Sequence, residues 1–225
     1  MIGIQQLTQT YGTKLVLDRV DLFIEKNEVC ALVGRNGAGK STLIHSLLGL
    51  LPVKQGKITI NGKLASGKKR PLGDIAYLPE KFALYPTLTG MENMIFFAQV
   101  STNKADEAKI AEVLTSVRLW DDRNAPVKGY SKGMLQRLGL AITLYQDAPI
   151  LILDEPTSGL DPMGRRDVLE VLKSLHDKTI LLSSHHMDEI RQICSHVAFL
   201  NEHKLEKFTV DDFMKQQNLM EGVTS

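Results

Sequence analysis

The stretch Gly34-Arg-Asn-Gly-Ala-Gly-Lys-Ser-Thr42 constrains this chain more than any other. It fits G-x-x-x-x-G-K-[ST] through Gly34, Gly39, Lys40 and Ser41. An apolar run, Val29 to Val33, precedes it, and Leu43, Ile44, Leu47, Leu48 and Leu51 follow at helical spacing. Strand, glycine loop and helix thus come in the order that a triphosphate cradle requires. Glycines let the backbone turn its N–H groups toward a β-phosphate, and the helix presents the positive end of its dipole to the same anion. Lys40 then reaches the β- and γ-phosphates, the Ser41 hydroxyl is placed for Mg²⁺, and Thr42 for the α-phosphate. What the phosphate energy drives is a separate question.

Composition bounds the answer. With 225 residues, 43% hydrophobic and 24% charged, the chain reads as one soluble globular domain with a substantial core. A net charge of +1 supplies no overall pull toward nucleic acid or an anionic membrane. Lys68, Lys69 and Arg70 form a local basic cluster that Gly, Ser and Pro mark as a solvated loop. No apolar run reaches the roughly 18 residues of a membrane span, and the N-terminus lacks a signal-like core. A role at a membrane would therefore pass through a partner. Cys30 and Cys194 read as buried thiols, and the pair His185-His186 lacks the neighbours of a metal site.

Short or alternating apolar runs predict strands at Ile2–Leu7, Val20–Ile24, Val29–Val33, Lys57–Ile60, Ile75–Leu78, Ile150–Leu153, Thr179–Leu182 and Val197–Leu200. The segment from about 85 to 148 reads as almost wholly helical, opening on Thr89 and Glu92 at capping-box spacing. Asp161 with Pro162 signals another helix start, and a short helix with a frayed tail follows Val210. The expectation is an α/β core, about 1–84 and 149–225, interrupted by a helical insertion, all in one domain spanning 1–225.

The run Pro149-Ile-Leu-Ile-Leu-Asp-Glu155 presents two carboxylates at the C-terminal end of a buried strand, where ligands collect on an open α/β sheet. Asp154 suits Mg²⁺, and Glu155 suits the orientation and deprotonation of an attacking water.

These motifs together resemble the ATP-binding-cassette (ABC) ATPases over nearly the whole chain. "GRNGAGKST" resembles the family's Walker A, "LILDE" its Walker B, "SGLD" (Ser158 to Asp161) its D-loop, and "YSKGMLQR" (Tyr130 to Arg137) its signature. "LLSSHHMDE" puts His185 at the switch-histidine position, and Tyr11 matches the aromatic that stacks on adenine. The fold implied is α/β, a P-loop NTPase (RecA-like) core with an antiparallel β subdomain and an inserted α-helical subdomain. The resemblance implies ATP and Mg²⁺ as cofactors. Tyr11, Gly34, Asn36, Gly37, Ala38, Gly39, Lys40, Ser41, Thr42, Ser131, Gly133 and Asp161 would bind nucleotide, Ser41, Glu80 and Asp154 the metal, and Glu155 with His185 would be catalytic.

Ser131 is also a natural N-cap, so the signature forms a second anion site. By resemblance, that site closes on the nucleotide of a second subunit, most simply an identical one, so that ATP joins the two and hydrolysis releases them. Two departures stand out: Glu80 replaces the usual Gln, and Ser131-Lys-Gly-Met134 replaces Ser-Gly-Gly-Gln.

"YLPE", "LYPTLTG" and "YSKGM" resemble the exporter branch that serves separate permeases, and more narrowly the ATPase of copper delivery to nitrous oxide reductase. The implied function is the ATPase subunit of a transporter, export or translocation being carried out by a transmembrane permease, on the cytoplasmic side of the inner (plasma) membrane and without nucleic acid. Soluble relatives acting in DNA repair or translation are the alternative; they usually carry two cassettes or long coiled-coil insertions, and this chain has neither. A small P-loop kinase or GTPase would leave the signature, the D-loop and the switch histidine unexplained.

Overall fold

The computed structural model describes residues 1–65, 72–102 and 104–222. The basic cluster Lys68 to Arg70 lies outside them. Among the described residues, ten strands form two sheets. The first is antiparallel, in the order β2-β1-β4-β5, from β1 (Ile2–Tyr11), β2 (Lys14–Ile24), β4 (Gln55–Ile60) and β5 (Lys63–Leu64). The second has the order β10-β9-β3-β8-β7-β6. Its strands are β3 (Val29–Val33), β6 (Ile75–Leu78), β7 (Ile150–Asp154), β8 (Thr179–Ser183), β9 (His196–Asn201) and β10 (Lys204–Thr209). All its pairings are parallel except the hairpin of β9 and β10.

Side-chain alternation explains how the parallel sheet is covered on both faces. Ile150, Ile152 and Leu181 face one core, while Leu151, Leu153, Ile180 and Leu182 face another. Such strands read as continuous apolar runs because both sides are buried. The first core holds α1 (Lys40–Leu48) between the two sheets: Leu43, Ile44 and Leu47 meet Ile2, Ile4 and Leu17 of the antiparallel sheet. This fixes the glycine loop where β3 passes into α1.

The second core gathers α2 (Gly90–Thr102), α3 (Glu107–Ser116), α4 (Lys132–Tyr145) and α5 (Pro162–Ser174). The capping box at the start of α2 forms reciprocally: the Thr89 N–H donates to Glu92 Oε2 at 2.7 Å, and the Glu92 N–H to Thr89 Oγ1 at 3.1 Å. The remaining helices are α6 (Met187–Ile193) and α7 (Val210–Gly222).

Three sequence expectations need correction. The stretch between α3 and α4 is a loop with one short 3-10 turn at Val127–Gly129. Arg118 leaves the helix at φ 57°, and Pro126 pairs with Thr89, so the chain turns back where continued helix was expected. β2 begins at Lys14, earlier than Val20. The strands β5 and β10 escape the pattern because they are short or mostly polar; β10, "KLEKFT", is an edge strand whose only large apolar residues are Leu205 and Phe208.

Candidate functional site

A cleft of about 470 Å³ opens at the C-terminal ends of β3 and β7. Its wall carries Asn36, Gly37, Gly39, Lys40, Ser41 and Thr42 from the glycine loop and α1, Asp154 and Glu155 from the end of β7, Glu80 following β6, and Tyr11 at the end of β1. Residues from four separate regions of the chain thus meet at one opening.

The loop's geometry depends on missing side chains. Gly39 sits at φ 114°, and a Cβ there would come within 2.9 Å of Val16 Cγ1. A Cβ on Gly34 would lie 2.5 Å from the Leu200 carbonyl oxygen. Both positions therefore exclude larger residues. The Lys40 ammonium donates to the Gly34 carbonyl at 2.7 Å, arching the side chain over the loop it follows. Two further hydrogens on that nitrogen stay available for anionic oxygens. Gly34 and Ala38 belong to the loop without lining the opening.

The carboxylates are held by a residue the sequence reading missed. Ser183, buried at the end of β8, donates from Oγ to Asp154 Oδ1 at 2.7 Å and accepts from the Glu155 N–H at 2.7 Å. Glu155 itself has φ 49°, a left-handed conformation that costs a non-glycine residue on the order of 1 kcal/mol. Strain of this kind persists where surrounding contacts impose it, as Ser183 does here.

His185 Nδ1 lies 3.0 Å from Glu155 Oε2, with Glu155 largely covered and His185 exposed. Because a carboxylate only accepts, the proton of this contact sits on Nδ1. Tyr77, on β6 beside Asp154, was also missed; burial first, then the Asp154 charge, pushes its phenol up to about 12. It therefore stays a neutral neighbour of the carboxylates. Arg35 of the glycine loop and Lys14, Leu15, Val16 and His203 complete the wall, the last four marked by no sequence motif.

The signature residues stand elsewhere. Ser131 caps α4, its Oγ accepting from the Met134 N–H at 3.2 Å, and Gly133 is packed against Gly164. A Cβ on Gly133 would be 3.3 Å from the Gly164 Cα, so the starts of α4 and α5 touch through backbone. Asp161 caps α5 by accepting from the Gly164 N–H at 2.9 Å. None of Ser131, Gly133 and Asp161 lines the cleft. Next to His185 in the chain, Ser184 Oγ donates to the buried Glu189 Oε2 at 3.3 Å, and Thr157 Oγ1 donates to the same oxygen at 2.6 Å, tying the turn after β7 to α6.

Among the described residues, no group of three or more His, Cys, Asp or Glu side chains could hold a metal on its own, and none of the helices is long and apolar enough to cross a membrane.

Comparison with known proteins agrees with this geometry. The ABC transporter family model matches residues 17–158. The chain is 38% identical over 209 residues to a lantibiotic transport ATP-binding protein of Streptococcus pyogenes, covering 91% of this chain and 89% of the relative. It is 36% identical over 222 residues to a bacitracin transport ATP-binding protein of Bacillus licheniformis, covering 97% and 72%. A solved ATP-binding subunit of an ABC transporter superposes with a TM-score of 0.83 at 30% identity, covering 97% of this chain and 94% of that one. These relatives do not carry the narrower likeness to a copper-delivery ATPase. With its glycine loop, paired carboxylates and these relatives, the chain belongs to the ABC transporter family, as an ATP-binding subunit that hydrolyses ATP.

Proposed function

We propose that this subunit powers a separate transmembrane permease by closing on a second copy of itself around ATP. The observation that carries the reading is the division of anion sites: Lys40 and Ser41 line the cleft, while Ser131 and Gly133 of the same chain do not. A helix start with a serine cap and free N–H groups is suited to a γ-phosphate held by another subunit. ATP then joins two subunits, and its hydrolysis separates them.

Within each cleft the nucleotide lies with its base toward Tyr11, its phosphates along Asn36 to Thr42, and its γ-phosphate toward Asp154 and Glu155. Glu155 takes the proton of the attacking water, and His185, bonded to Glu155, keeps that carboxylate oriented. Asp161 holds the start of α5 near the junction between subunits.

The hydroxyl of Ser41 and the carboxylates of Asp154 and Glu80 are hard oxygen donors sharing one cleft, a set that fits Mg²⁺. Such an ion, when bound, neutralises charge on the β- and γ-phosphates. Too few protein carboxylates converge to hold it unaided, in keeping with a metal that arrives with its nucleotide.

We place the helical insertion at about 85–148 and assign it, with the adjoining core of one domain spanning 1–225, to contact with the permease. The subunit would then sit on the cytoplasmic side of the inner (plasma) membrane, held there by that partner. The names of the lantibiotic and bacitracin relatives support transport as the class of work and leave the cargo to the permease.

Purification of the Glu155→Gln chain from its native cells in mild detergent tests the reading. A stoichiometric multi-span polypeptide in the complex is the expected result; recovery with ribosomes or nucleic acid alone would overturn it.

A further inference from the structure

The turn from β9 to β10 reaches the nucleotide cleft, and its conformation is unusual. Glu202 and His203, its two central residues, both have positive φ, 46° and 68°. Such hairpin turns favour Asn-Gly or Gly-Gly, because a side chain in this region is strained. Here two bulky residues occupy it, and His203 lines the cleft.

The turn is fastened to β2. The His203 carbonyl accepts from the Asp18 N–H at 2.9 Å, and the Lys204 ammonium bonds both the carbonyl and the carboxylate of Asp18. The imidazole is fixed as well, with Nδ1 3.2 Å from the Val16 carbonyl oxygen. A carbonyl can only accept, so the proton lies on Nδ1, and Nε2 keeps a lone pair. Tyr11, Leu15 and Val16 line the same cleft. An oriented acceptor therefore shares the cleft with the residue that marks the base end.

We propose that His203 reads the edge of the bound base, its Nε2 accepting from the 6-amino group of adenine and disfavouring 6-oxo purines. This rests on the reading that Tyr11 marks the base end. An acceptor facing the O6 of hypoxanthine or guanine has no proton to share and meets a second lone pair. Backbone strain retained at a ligand-facing turn fits a residue kept for its side chain.

The test compares ATP, ITP, GTP and 2′-deoxy-ATP as substrates and competitors for the wild type, His203→Gly, His203→Gln and Tyr11→Ala. His203→Gly should lose about tenfold of the preference for ATP over ITP and GTP, the amount one hydrogen bond supplies. His203→Gln, whose amide oxygen accepts, should recover part of it. The thermal midpoint of His203→Gly should be no lower than that of the wild type, since glycine accepts the φ of 68° without strain. That result separates base reading from a structural role.

An unchanged ATP-to-ITP ratio in His203→Gly, with Tyr11→Ala weakening all the nucleotides, overturns the proposal alone. Equal losses for ATP and ITP that spare 2′-deoxy-ATP would assign His203 to the sugar and overturn it too. Full affinity in Tyr11→Ala would instead remove the base-end reading, and this proposal with it.

Discussion

His185 Nδ1 and Glu155 Oε2 stand 3.0 Å apart, joining the loop after β8 to the carboxylate after β7. The contact engages one carboxylate oxygen of Glu155, a residue that lines the cleft. Glu155→Gln keeps the shape and removes the base, so turnover should fall by at least about 100-fold while ATP binding persists. His185→Ala should lower turnover by roughly 10- to 100-fold through a misdirected Glu155. Phosphate release and equilibrium nucleotide binding, measured side by side, check both; normal turnover in Glu155→Gln would remove it as the base.

Ser131 caps α4 on the exposed surface, away from its own cleft. Ser131→Arg places a bulky cation where a second subunit's nucleotide should dock. The variant should bind ATP weakly at one cleft, lose cooperativity in hydrolysis, and fail to form an ATP-dependent dimer in size-exclusion chromatography with light scattering. Wild-type cooperativity and turnover would count against the two-subunit sandwich.

Glu80 is exposed on the cleft wall with Asp154 and Glu155, which puts three carboxylates around one region. Glu80→Gln removes a charge and keeps an oxygen donor. ATP affinity should stay within about tenfold of the wild type, since an exposed charge is strongly screened, and coupling to the permease should change more. Complete loss of nucleotide binding would show Glu80 to be a main ligand.

Alkaline pH should destabilise the fold. Burial pushes the Cys30 thiol from 9.0 up to about 12, and burial followed by the Asp154 charge pushes Tyr77 from 10.0 up to about 12. Burial raises Cys194 as well. Above pH 9 the unfolded chain releases these protons before the folded one does, so stability falls as pH rises through the window from 9.0 to about 12. A fully buried thiol contributes a slope of about 1.4 kcal/mol per pH unit there. Urea midpoints across that range should fall less steeply for Cys30→Ala than for the wild type; parallel curves would deny Cys30 this role.

Much of this protein was legible in its sequence, for reasons that are local. The glycine loop is recognisable because phosphate binding by backbone N–H groups demands glycines next to a helix start. Ile150 to Leu153 read as a strand because burial on both faces makes every residue apolar. Thr89 with Glu92, and Asp161 with Pro162, announced their helices because caps act within three or four residues. What the sequence left unspecified depends on approach between distant segments. Ser183, which fastens Asp154 and Glu155, is one serine among many until β8 is laid beside β7. His203 meets the Val16 carbonyl across 187 residues of chain, through a polar edge hairpin that no periodicity marks. The separation of Ser131 from the cleft was likewise decided by tertiary packing, as Gly133 against Gly164 sets the start of α4 on the start of α5. Local chemistry is written in neighbouring residues, whereas a site assembled from strand ends and turns exists only once the sheet has ordered them.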